Sequence, residues 1–180
     1  MQHLNIKIFA RKADGFAASE AIPVFHRWIQ NRSCPELLID VADYSHVPAG
    51  PGVLLIGREA NYGLDSTRNR LGLLYSRKAA VEGDSMRQAL DAARAACDRL
   101  EQEPELQGKL VFDRDEVEVT LNDRLLHPNT EATWQAVKPE LTRFFDGVFG
   151  AGHYALGREG EPRERLRVSV RPLGTVWRPG

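Results

Sequence analysis

The sequence predicts an α+β fold: a mostly antiparallel mixed sheet of about seven to eight strands, with three helices packed mainly on one face. Three observations carry that expectation. Short apolar–polar alternations follow one another through links too short for crossovers, so hairpins and meanders outnumber βαβ units. Two long stretches, one from Met86 and one from Trp134, carry apolar residues at helical spacing. No repeat and no flexible linker interrupts the 180 residues, so a single domain over residues 1–180 is expected, long enough to bury a core.

The elements follow in order. Leu4-Asn5-Ile6-Lys7-Ile8 alternates as a half-buried strand does. A helix opens near Ser19 or Glu20, with Pro23 tolerated in its first turn and Pro35 beyond its end. Leu37–Asp43 reads as a strand, with Leu37, Ile39 and Val41 on one side. Val47–Gly52 is a turn-forming loop, and Val53-Leu54-Leu55-Ile56 is an apolar run suited to a strand buried on both faces. Tyr62–Asp65 and Leu71–Arg77 complete a three-stranded meander across the polar turn Ser66–Arg70.

Asp84 or Ser85 caps the next helix, whose stripe is Met86, Leu90, Ala93, Cys97 and Leu100. Lys109–Phe112 and Val117–Leu121 read as a hairpin joined through Asp113-Arg114-Asp115-Glu116. Asn129 or Thr130 caps the last helix, in which Pro139 should introduce a kink or a break and which Gly150 ends. A strand near Tyr154 and another over Leu166–Arg171 close the chain. Outward Arg165, Arg167 and Arg171 are expected beside outward Glu116 and Glu118 as cross-strand ion pairs.

Composition narrows the function classes. A formal net charge of −1 argues against bulk electrostatic binding of nucleic acid. No apolar run reaches the roughly 20 residues of a spanning helix, and Met1–Asn5 lacks the pattern of a signal peptide, so no membrane partner is expected. Two cysteines, Cys34 and Cys97, read as free thiols of a cytoplasmic protein. Charge is nonetheless uneven. Val47–Lys78 carries five cations against two anions, Ala79–Phe149 eight against fifteen, and Gly150–Gly180 six against three. A basic segment of this kind suits an anionic ligand.

Chemistry concentrates between Tyr44 and Lys78. Gly50-Pro51-Gly52 resembles a phosphate cradle, but neither a P-loop nor a dinucleotide pattern is present, and Pro51 removes an N–H donor. No cofactor is expected. The five histidines lack ligand spacing, so no metal is expected either. What remains is a set of side chains near strand ends and turns that can converge. Tyr44, His46, Tyr62, Arg70, Tyr75 and Arg77 form the expected ligand set, with the arginines gripping a carboxylate or phosphate through the guanidinium fork.

The first expectation is therefore a module that binds a small anionic ligand or a protein partner. The alternative is a cofactor-independent enzyme in which His46, with Glu59 or Asp65, moves a proton. A further alternative is a structural protein that forms a homodimer through an exposed sheet edge. The plainest account of the same residues is a solvated set of turn charges with Tyr62 and Tyr75 half-buried.

Overall fold

A computed structural model describes residues 3–47, 50–80 and 82–174. Pro48 and Ala49 of the expected loop, and Met1 and Gln2 of the N-terminal stretch, lie outside the described residues. Among the described residues are eight strands and three α-helices: β1 (Leu4–Lys12), α1 (Ile22–Gln30), β2 (Leu38–Tyr44), β3 (Gly52–Gly57), β4 (Ala60–Asp65), β5 (Gly72–Arg77), α2 (Ser85–Gln102), β6 (Val111–Leu121), α3 (Glu131–Phe149), β7 (Tyr154–Glu159) and β8 (Arg167–Pro172). The strands form one sheet in the order β2-β3-β4-β5-β1-β6-β8-β7. Every pairing between neighbouring strands is antiparallel. The fold is α+β, as the alternation of short strands predicts.

The two faces of the sheet differ. Ile6, Tyr75, Tyr62 and Leu55 lie side by side across four strands, and Val119 and Val168 extend the same row. All six are buried. α2 lies over this face against β1, β5 and β6, with α1 beside β2 and α3 beside β7. Its stripe Met86, Leu90, Ala93, Cys97 and Leu100 is buried along its whole length. Asp84 caps α2, its carboxylate accepting from the Arg87 amide, and Thr130 caps α3 through the Thr133 amide. Arg99 of α2 lies over the Trp28 ring of α1, and Arg87 and Arg94 of α2 lie over Phe144 and Phe149 of α3, so α2 is the middle helix.

The opposite face is a lattice of charges. Lys7 projects there and meets Asp65 at 2.5 Å, both side chains nearly enclosed. Arg68 reaches Glu118, Arg70 reaches Glu116, and Arg167 and Arg171 approach Glu118 and Glu116 at 4.0 and 3.2 Å. The expected cross-strand pairing with Glu116 and Glu118 is therefore present for Arg167 and Arg171, while Arg165 is exposed and precedes β8.

Several local expectations change. Asp113–Glu116 is not a turn: β6 runs unbroken through it for 11 residues, with a register irregularity against β1. A run of charges need not end a strand when one of its faces is open. In β3 the burial alternates, with Val53 and Leu55 enclosed and Leu54 and Ile56 half-buried, because helices cover one face there. Pro139 sits inside a continuous 19-residue α3. In β2 a bulge between Leu38 and Asp40 turns Ile39 outward and leaves Leu38 in the core. At Gly52, φ is +68° and a Cβ would stand 2.0 Å from the Leu64 carbonyl oxygen, so this glycine lets β3 enter beside β4.

Candidate functional site

Sheet register brings three of the expected residues together. Tyr62 of β4 stands opposite Tyr75 of β5, and Arg77 lies two residues further on the same face. Their rings meet edge to face at 5.2 Å, and the Arg77 guanidinium lies 5.7 Å from the centre of the Tyr75 ring. Both tyrosines are 2–3% exposed, well inside the half-buried position expected of strand aromatics. Arg77 is 8% exposed.

These three form the floor of a cavity of about 740 Å³. The cavity lies between the β4–β5 face and one flank of α2, and the segment from Cys34 to Leu37 closes one side. α2 contributes Ala92, Ala95 and Ala96, whose small side chains leave the space, and Gln88, Asp91 and Arg99. Arg58 and Glu59 stand on the β3–β4 turn at the mouth. The volume lies in the range of small-molecule sites.

Glu36 organises the inner wall. Its carboxylate accepts from the Tyr62 hydroxyl at 2.6 Å and from the Ala60 amide at 2.9 Å. The backbone at Gly57 permits this approach, since a Cβ there would lie 2.6 Å from Glu36 Oε2. Nearby, Arg99 donates to Cys34 Sγ at 3.8 Å.

Arg77 differs from the other buried cation. Lys7 has a carboxylate partner; Arg77 has none among the described residues, and its Nε is buried without a hydrogen-bond acceptor. An unpartnered buried guanidinium is costly to the fold. Its Coulombic neighbourhood within the cavity is mixed. Arg58 and Arg99 add positive charge, while Glu36, Glu59 and Asp91 add negative charge.

The cavity's phenols and its thiol are held in their neutral forms. Burial pushes the Tyr75 hydroxyl up to about 12, against a smaller opposing pull from Arg77 and with Glu36 and Glu59 adding to the rise. Burial first, and then the bond to Glu36, raise Tyr62. Burial also raises Cys34, in spite of Arg99. These groups serve as hydrogen-bond donors near neutral pH.

No known protein family, curated protein or solved structure matches the chain.

Of the other expected residues, Glu59 reaches the cavity at its mouth, and Tyr44, His46, Asp65 and Arg70 lie elsewhere. Tyr44 and His46 are exposed at the β2–β3 turn. Glu59 stands at the opposite end of β3, and six strand residues put roughly 20 Å between the two turns. Asp65 projects to the charged face, where Lys7 and Thr67 hold it. His46 thus meets neither Glu59 nor Asp65, and its near carboxylate is Asp43, which Ser45 holds below the usual carboxylate range. Arg70 is also on the charged face, paired with Glu116 and lying 3.8 Å over the Phe9 ring.

Sequence reasoning missed Glu36, Arg58, Asp91 and Arg99. One signal was present: Ala92, Ala95 and Ala96 flank the apolar stripe of α2 at a spacing that leaves a shallow strip beside it. Among the described residues no three His, Cys, Asp or Glu side chains cluster as metal ligands, and no helix is long and apolar enough to cross a membrane.

Proposed function

We propose that this protein is a binding module for a small anionic ligand, seated in the cavity between α2 and the β4–β5 face. One observation carries the reading: Arg77 is buried on the cavity floor with no carboxylate partner among the described residues. A ligand that supplies the missing negative charge offsets a cost the empty fold bears, and that gain adds to affinity. Tyr75, neutral at working pH, adds a donor beside it. Arg77 rather than the rim supplies the attraction, since Arg58 and Arg99 are offset by Glu59 and Asp91. The test is a thermal-shift panel of carboxylate and phosphate compounds on the wild-type chain and on Arg77→Met. Anion-dependent stabilisation in wild type, absent from the variant, supports the reading; equal response of the two chains refutes it.

A homodimer joined through the edge of β2 is a second reading. Leu37, Ile39, Tyr44 and Val47 are large side chains exposed along and beside that strand. Light scattering decides it: a monomer at all concentrations removes the dimer.

A further inference from the structure

The cavity has a polarity of its own, and from it we infer the chemical class of the ligand: a planar, apolar monocarboxylic acid, its carboxylate on Arg77 and its flat body between Tyr62 and the alanine strip of α2. The inference rests on the reading of this cavity as an anion site.

The head group follows from the donors on the floor. Arg77 is the one cation under a tenth exposed among the described residues of the lining. Its Nε is enclosed without an acceptor, and among the described residues no side-chain hydrogen bond or ion pair engages its Nη atoms. Nε is sealed from the cavity, so the accessible donors are the two Nη atoms, whose end-on fork matches the two oxygens of a carboxylate. The Tyr75 hydroxyl, on the same face of the same strand, stands ready as a third donor.

A phosphate monoester fits this floor poorly. Its extra charge calls for further cations or for a run of free backbone N–H groups. The first turn of α2 does not supply them: Asp84 already accepts from Arg87, and the lining of the cavity begins only at Gln88. Glu36 also faces the same space, and its field and that of Glu59 reach Tyr75. Carboxylates so close repel a dianion about twice as strongly as a monoanion.

The body follows from the walls. Ala92, Ala95 and Ala96 present a low, flat surface at i, i+3 and i+4 of one helix. Tyr62 faces the cavity from the sheet side, and Pro35 and Leu37 add apolar contact toward the mouth. A slot with a flat helical wall and an aromatic wall takes a planar ring system. The polar groups Arg58, Glu59, Gln88 and Asp91 sit at the rim, so the far end of the ligand meets water.

Naphthoate, naphthyl phosphate, naphthylmethanol, acetate and inorganic phosphate separate these features. Calorimetry on the whole chain measures each, together with the rate at which a disulfide reagent labels Cys34, a cavity thiol; Cys97 is fully enclosed. Naphthoate is expected to bind roughly tenfold or more tighter than the other four and to slow Cys34 labelling. Arg77→Lys, which keeps the charge and loses the fork, and Arg77→Met should each weaken naphthoate by roughly tenfold or more. Tyr75→Phe should weaken it by a smaller factor.

Tighter binding of naphthyl phosphate or inorganic phosphate, lost in Arg77→Met, overturns the monocarboxylate class while the anion site stands. Acetate equal to naphthoate overturns the planar body. Naphthylmethanol equal to naphthoate, with Arg77→Met unchanged, overturns both the class and the anion site. Absence of Arg77-dependent binding by every anion in the set does the same.

Discussion

The Tyr62 hydroxyl donates to Glu36 Oε1 across 2.6 Å, joining a mid-sheet strand to the segment that leads into the edge strand β2. The same carboxylate takes the Ala60 amide, so Glu36 closes the cavity wall and satisfies a backbone donor at once. Tyr62→Phe keeps the ring and removes one of those two bonds. It should lower stability by about 1–2 kcal/mol in urea denaturation. Gly57→Ala should cost more, because its Cβ displaces Glu36 and leaves both donors without their acceptor.

Arg77→Met should stabilise the empty protein. The substitution removes a buried cation that has no partner among the described residues and keeps most of the apolar contact with Tyr75. A gain of about 1 kcal/mol corresponds to a rise of about 2–4 °C in melting temperature for a chain of this size. A fall in melting temperature without ligand would mean that Arg77 is already satisfied.

The alkaline limb of stability should carry the mark of Tyr75. Its phenol titrates near 10 in an unfolded chain and is pushed up to about 12 in the fold. Below pH 10 the hydroxyl is neutral in both states and its contribution is complete. Between pH 10 and 12 the unfolded chain releases the proton first, and stability falls. The stability difference between wild type and Tyr75→Phe should therefore be flat below pH 10 and should narrow from there to pH 12, as read by denaturant midpoints.

On the charged face, Asp65→Asn strands Lys7 in an enclosed position. A loss of about 3–5 kcal/mol is expected in chemical denaturation. Replacing both partners, as Lys7→Met with Asp65→Leu, should recover most of it, since neither buried charge then lacks its counterpart.

Pro139 is exposed in mid-helix and withholds one backbone donor from α3. Pro139→Ala should raise stability by about 1–3 kcal/mol, measured by thermal or urea unfolding. Of the kink or break the proline predicts, the break is absent: α3 continues across it, because Trp134, Val137, Leu141 and Phe145 anchor the helix on both sides.

What could be read from the sequence follows the reach of local patterns. The stripe from Met86 to Leu100 specifies α2 and its buried side, because helical spacing is a local property. Tyr62, Tyr75 and Arg77 are recognisable as neighbours because short turns bring β4 beside β5 and alternation orients their side chains. Asp65 and Arg70 belong to the same meander but go to the other face, and the partners that claim them, Lys7 and Glu116, come from strands far along the chain. Glu36, Arg99 and Asp91 reach the cavity through tertiary packing of a loop and a helix flank. No spacing in the sequence encodes that meeting. The long β6 was unreadable for a related reason: Arg114 of its charged run is drawn to Asp98 and Glu101 of α2.

β1 is the fifth of eight strands across the sheet and precedes the other seven in the chain. One edge pairs with β5, while the other waits for β6, where Leu4 faces Leu121. During synthesis more than a hundred residues must emerge before that second edge closes. At about 5–20 residues per second this takes on the order of ten seconds. Over that interval a nascent half-sheet exposes the open backbone of a strand whose first six residues are all buried in the finished fold, so a newly made chain has more need of a chaperone than the finished fold suggests.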